Sequence, residues 1–468
     1  MTKAKQLKSD LTEGPLLSKI ILFSLPLIAT AVLQLLFNTA DIVVVGRWGG
    51  STPEECEVAL AAVGSCGSLA NLIVQLFMGL SVGAGVCVAH EIGAKRQGEL
   101  ESVVHTSVIV ALVSGFLVTV FGLIAARPLL ILMKTDPEVL DEAVLYMRAY
   151  FCGMPASMVY NYCAAMLRSA GDTVRPLRFL SVAGVVNVIF NLVMVLIFQT
   201  GALGVGIATA VSQWVSCILI IRFMRKTDGP CHLEWSSLHV DRKKLRKILY
   251  IGLPAGIQGS LFALSNVLIQ SSINSFGKVV VAGNTAASNL DAYIYATQNS
   301  MYHAALTFVG QNVGARKYDR VRKSIVYSVL VVTAVGLSVG LVMYVFGEPL
   351  LGIYAPHNPE VIAAGMTRLG ILGLSYFLCG LMEVGSGVMR GFGKSIAPMI
   401  VSLLGSCVFR IAWIYTIFEM NPTLTMLYIS YPISWIVTGA VHFLFCFVTL
   451  QRRVREERAA MPAVKQPS

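Results

Sequence analysis

The chain has 468 residues, of which 56% are hydrophobic and only 13% charged, with a mean hydropathy of +0.72. That is more apolar sequence than water-covered domains bury, in runs long enough to cross a bilayer, which excludes a soluble protein. Ten scattered cysteines without a CxxC pair argue against a disulfide framework or zinc site, and no folded soluble module such as an ATPase is visible.

In chain order, polar sequence (1–16) runs up to an apolar stretch that continues past Thr39 without a small-residue cleavage site. It is read as the first spanning helix and not as a cleaved leader. Five more spans are expected at 57–90, 101–126, 138–168, 174–198 and 202–226. Thr227-Asp228-Gly229-Pro230 then breaks the helix and opens a polar linker, 227–241. A second set of six is expected at 244–275, 280–312, 322–346, 359–390, 395–419 and 424–450, before a basic tail, 452–468. The lobes are thus 17–226 and 242–451.

The two sets are copies. Leu25-Pro26 returns as Leu253-Pro254, and Ile92-Gly93-Ala94-Lys95-Arg96 as Val313-Gly314-Ala315-Arg316-Lys317. Arg168, Gly171 and Pro176 return as Arg390, Gly393 and Pro398, each 222 residues on. Six spans per copy keep both in one orientation, a parallel repeat related by a pseudo-twofold axis, as in many secondary transporters. With the N-terminus cytoplasmic, only Arg47, Arg127, Lys134 and Lys278 fall outside. The net charge of +11 therefore reads as a positive-inside signal with both termini cytoplasmic, not as a nucleic-acid site.

An ionisable group at membrane depth costs about 2.5–3.5 kcal/mol on insertion scales, so each one requires a reason. Asp41 shares a face of the first helix with Gln34 and Asn38, beyond a kink-permitting Pro26. Asn161 lies in the fourth span, Asn187 and Asn191 one turn apart in the fifth, and Thr209 and Gln213 one turn apart in the sixth. Converging on Asp41, they would hold a hard cation or a protonated acid; singly, each is as well explained by bonds between helices. The second half carries Gln258, Asn266, Gln270, Asn289, Asp291, Glu383 and Arg410. Asp291 and Arg410 lie at similar depth. If they pair, Asp291 is structural and Glu383 is the freer titrating group; if not, Asp291 is a second coupling candidate. Met301, Tyr302 and Tyr376 are candidates to line a pocket, although packing explains each singly.

Three segments carry a family resemblance: Asp41-Ile42-Val43-Val44-Val45-Gly46-Arg47, Leu167-Arg168-Ser169-Ala170-Gly171-Asp172-Thr173 and Met389-Arg390-Gly391-Phe392-Gly393-Lys394-Ser395. With the twelve-span duplication, the chain resembles the multidrug and toxic compound extrusion (MATE) transporters of the multidrug/oligosaccharidyl-lipid/polysaccharide (MOP) superfamily, from roughly Leu16 to Arg452. The resemblance implies an all-α membrane protein with two six-helix lobes in a V. It also implies export of amphipathic, cationic small-molecule drugs or toxic metabolites in exchange for H⁺ or Na⁺, without a cofactor. A monomer in a bacterial-type inner membrane is the expected form. Asp41 would be the central carboxylate of the cation site, a Na⁺ site if the ion is sodium, with Gln34, Asn161, Asn187 and Thr209 around it. One branch has Asp where this chain has Asn191. Another has Glu in the seventh helix where this chain has Phe262, and Glu383 lies one turn from that branch's acidic position. The competing readings are a lipid-linked oligosaccharide or polysaccharide flippase, which would show a cationic cavity, and an intramembrane enzyme with Asp41 and Asp291 as an acid pair.

Overall fold

The computed structural model describes residues 10–354 and 358–460 and is helical throughout, with no strand among the described residues. The first half contains α1 (Leu16–Trp48), α2 (Pro53–Gly93), α3 (Gln97–Leu132), α4 (Pro137–Cys152), α5 (Met154–Ser169), α6 (Val174–Leu192) and α7 (Gly201–Lys226). The second contains α8 (Arg242–Asn274), α9 (Lys278–Gly314), α10 (Tyr318–Val345), α11 (Gly347–Tyr354), α12 (Pro359–Arg368), α13 (Leu374–Gly391), α14 (Ile396–Ser402), α15 (Phe409–Trp413) and α16 (Leu424–Ala460). Single π turns prolong α6 (Val193–Ile197), join α12 to α13 (Leu369–Gly373) and flank α15 (Leu403–Val408 and Ile414–Phe418).

Ten of the described helical stretches are long and apolar enough to cross a membrane, against twelve expected. Both others are helical, and each falls short for a physical reason. The 138–168 stretch is parted at Gly153 into α4 and α5, each of 16 residues. The 37-residue α9 is long enough, but it buries Asn284, Asp291, Thr297, Gln298, Gln311 and Asn312. A helix that lays so many polar groups against protein does not announce itself by hydropathy.

The duplication is visible in the backbone. Lys95 and Arg316 both take left-handed φ, +55° and +57°, just past α2 and α9. Gly171 and Gly393 do the same, at +91° and +81°, past α5 and α13. Behind each, an amide reaches back five residues to close the helix: Arg96 to Glu91 (3.1 Å), Lys317 to Asn312 (2.9 Å), Asp172 to Leu167 (2.9 Å) and Lys394 to Met389 (3.0 Å). A left-handed residue followed by such a bond ends a helix by satisfying its last carbonyls.

The described residues pack into two compact units, one taking Asp10, 22–92 and 96–264, the other 11–21, 93–95 and the residues from Ser265 onward. In the first, α3 packs on α4 and α5, and α7 on α4, α5 and α6. There α2 meets the first part of α8 glycine to glycine: a Cβ at Gly79 would fall on Gly256 backbone, and one at Gly83 would crowd Gly252. Small residues four apart on both helices are what lets backbones approach this closely in a membrane. In the second unit α9 and α13 pack on each other and on α10, with α12 on α9 and α16 on α13. The lead-in to α1 is strapped into this unit: the Thr12 and Glu13 carbonyls accept from Lys317 (3.0 Å) and Arg320 (2.8 Å).

Candidate functional site

In the first unit α1 and α6 touch where a side chain is missing: a Cβ at Gly184 would fall on the Phe37 ring. One turn beyond Phe37 on that face is Asp41, and one and two turns beyond Gly184 are Asn187 and Asn191. The contact therefore sets the polar groups opposite one another. Asn191 Nδ2 donates to Asp41 Oδ1 and lies 3.4 Å from Asn187 Oδ1, which it also serves as a donor. The Thr209 hydroxyl of α7 lies beside the same carboxylate. Its single proton also reaches the Val205 carbonyl, at 2.9 Å, so it serves one acceptor at a time.

Asn187 and Asn191 are buried while Asp41 is half-buried. The buried Oδ1 of Asn191 has no hydrogen-bond partner among the described residues. No cationic side chain pairs with Asp41 among them. The site is one carboxylate among neutral amides and a hydroxyl, oxygens of the kind that bind a proton or a hard cation.

Not every expected member joins. Asn161 donates to Ser157 O (2.8 Å) on its own helix. Gln34 and Asn38 are exposed beside Asp41. Gln213 packs against Gly153, its buried Oε1 without a partner among the described residues.

In the second unit α9 and α12 also meet at glycines, where a Cβ on Gly283 would crowd Val361 and Gly365. This contact brings Arg368 onto Asp291. Arg368 Nε donates to Asp291 Oδ2 at 2.7 Å, and its Nη1 to Asn284 Oδ1 at 2.6 Å. Tyr428 OH donates to the same Asn284 oxygen (3.1 Å), and Asn284 Nδ2 donates to Gln270 Oε1 (3.2 Å). The partner of Asp291 is therefore Arg368, not Arg410, and sequence reasoning missed Arg368, Asn284 and Tyr428. Depth alone would have offered Arg368, which lies nine residues into its span, as Arg410 lies about nine from the end of its own.

Arg410 is buried, with Nε donating to Ser434 Oγ at 2.9 Å. Glu383 is half-buried and makes no hydrogen bond or ion pair among the described residues. Asn266 is exposed.

Ten helical stretches long and apolar enough to cross a membrane, in a chain whose halves repeat, define the class as a polytopic membrane protein. The MatE family profile matches residues 26–193 and 254–416, so the chain belongs to the MatE family. Among curated relatives, the probable multidrug resistance protein YoeA of Bacillus subtilis is 27% identical over 389 residues, covering 82% of each chain. YpnP of the same organism, a probable multidrug resistance protein too, is 25% identical over 408 residues, covering 86% of this chain and 88% of the relative. Among solved structures, an outward-facing multidrug resistance MATE family transporter of the MOP superfamily superposes with a TM-score of 0.88 at 23% identity. That superposition covers 97% of this chain and 99% of the other. A Pyrococcus furiosus MOP superfamily transporter, described as having a binding pocket of reverse polarity, gives 0.87 at 23% identity, with coverages of 97% and 99%.

Proposed function

We propose that this chain is a secondary active multidrug exporter of the inner membrane, with both termini cytoplasmic, in which Asp41 couples ion entry to drug exit. The observation that carries this reading is the neutrality of the Asp41 surroundings. A carboxylate held by an arginine keeps its charge; one held by Asn191, Asn187 and Thr209 is free to gain and lose a proton or Na⁺. The relatives named for multidrug resistance support the substrate class, amphipathic and cationic small molecules.

In the proposed cycle, ion entry neutralises Asp41. A protonated Asp41 turns from acceptor to donor, and the unpartnered Oδ1 of Asn191 is an acceptor at hand. A bound Na⁺ would draw on that oxygen, Asn187 Oδ1, Thr209 Oγ1 and the carboxylate. Either change re-aims the donors on α6 and α7, so the ion acts through its different affinity for the two packings. The kink-permitting Pro26 of α1, with Thr30 Oγ1 donating to its carbonyl at 2.7 Å, gives that helix a place to bend.

The test is uptake of a fluorescent organic cation into proteoliposomes, with a pH or a Na⁺ gradient imposed separately. Wild type should respond to one gradient, and Asp41→Asn should lose that response. Full gradient-driven transport in Asp41→Asn would overturn the reading.

A further inference from the structure

The second unit contains two arginines at membrane depth, and it treats them differently. Arg368 has a carboxylate, an amide oxygen and the Tyr428 ring at 5.8 Å. Arg410 is 3% exposed, and the one hydrogen bond found on it among the described residues is that from Nε to Ser434. Its Nη2 is buried with no hydrogen-bond partner. No carboxylate pairs with it among the described residues. A guanidinium at this depth without a carboxylate is costly, and an anion at its free donors would offset that cost beyond what its rings and Ser434 supply.

The surroundings say what shape that anion has. The guanidinium lies 4.1 Å from the Tyr431 ring centre and 5.7 Å from that of Trp435. Tyr376 packs on Trp435 at 5.2 Å, and Tyr431 on Trp435 at 5.9 Å. With Nε tied to Ser434, the end of the guanidinium that carries Nη2 presents donors in the plane that a carboxylate matches with its two oxygens. Tyr431 and Tyr376 are both half-buried, whereas Arg410 and Trp435 are buried. Rings on a guanidinium offer faces for a flat apolar group attached to the acid.

We propose that Arg410, with Ser434, Tyr431, Trp435 and Tyr376, is a binding site for the carboxylate of a planar aromatic acid. It extends the range of ligands from cations to molecules that carry an acid as well. It does not depend on coupling at Asp41, because its test reads binding at equilibrium without a gradient.

The experiment titrates 1-naphthoate, and its neutral analogue 1-naphthamide, into the purified full chain in detergent while tryptophan fluorescence is followed. Wild type should show saturable quenching by naphthoate and at least tenfold weaker binding of the amide. Arg410→Met should lower naphthoate affinity at least tenfold, and Arg410→Lys, which keeps the charge and loses the fork, should fall between. Trp435→Phe should remove most of the quench, placing the ligand beside that ring. Should the arginine variants fail to fold, Ser434→Ala frees Nε and should change naphthoate affinity while leaving the amide's unchanged. Equal binding of acid and amide, or naphthoate affinity unchanged in Arg410→Met, would overturn the proposal and leave Arg410 a structural residue held by its rings.

Discussion

Asp41 and Asp291 are the same side chain in the same protein, each placed by a glycine contact between two helices, and they are held in opposite ways. Asp41 has Asn191, Asn187 and Thr209; Asp291 has Arg368, backed by Asn284 and Tyr428. Removing charge from the first leaves neutral partners that adapt by turning a hydrogen bond around. Removing charge from the second strands a guanidinium. An acid that must change its charge during a cycle is better served by amides, and one that must hold two helices together by an arginine.

Mutations separate the two. The largest loss of stability is expected for Arg368→Met, which leaves Asp291 buried and unpaired at a cost of about 3–5 kcal/mol. Thermal unfolding in detergent should show a marked fall, and the double variant with Asp291→Asn should recover most of it; an unchanged melting temperature would erase the distinction. Asn191→Leu removes the donor to Asp41 and should cost about 1–2 kcal/mol, with about tenfold slower coupled transport. Transport at the wild-type rate would show that the amide is only packing. Asp41→Asn should alter stability by less than about 1 kcal/mol yet abolish gradient-driven uptake. If it unfolded the protein, the first unit would be held together as the second is.

A third acid, outside the membrane, gives the baseline. Asp241 caps α8, accepting from the Lys243 and Lys244 amides at 2.7 and 3.2 Å. Those bonds, the Lys244 one foremost, hold its carboxyl below the usual range. Its contribution is therefore present above the ordinary carboxylate pKa and lost as pH falls through the lower folded value. Asp241→Ala should lower the melting temperature slightly at neutral pH, with the difference shrinking in acid. A difference that persisted in acid would mean the cap acts through something other than its charge.

The duplication, the order of the helices and the grouping around Asp41 were legible because they rest on spacing along the chain. A polar residue every third or fourth position on an apolar helix marks a face, and a polar face at that depth has to meet protein. Asn187 and Asn191 follow from this directly. Asn161, named alone in its span and joined to the group also by the resemblance, bonds to its own helix instead, because its presence at depth does not name the partner across from it. Depth, likewise, is one coordinate. It put Asp291 and Arg410 at similar levels and passed over Arg368 at the same level, which the contact of α9 with α12 at Gly283 and Gly365 brings onto Asp291. The span 280–312 illustrates the converse: two of the polar residues that weaken its hydropathy signal, Asn284 and Asp291, build the second network.

The π turns point to where each copy can give. One follows α6 at Val193–Ile197 and another follows α15 at Ile414–Phe418, within one residue of the same place in each copy. A π turn widens a helix locally without breaking it, and such turns are frequent at functional sites. In the first copy the turn starts two residues past Asn191, so the helix that carries the amide donor to Asp41 changes its winding directly beyond it.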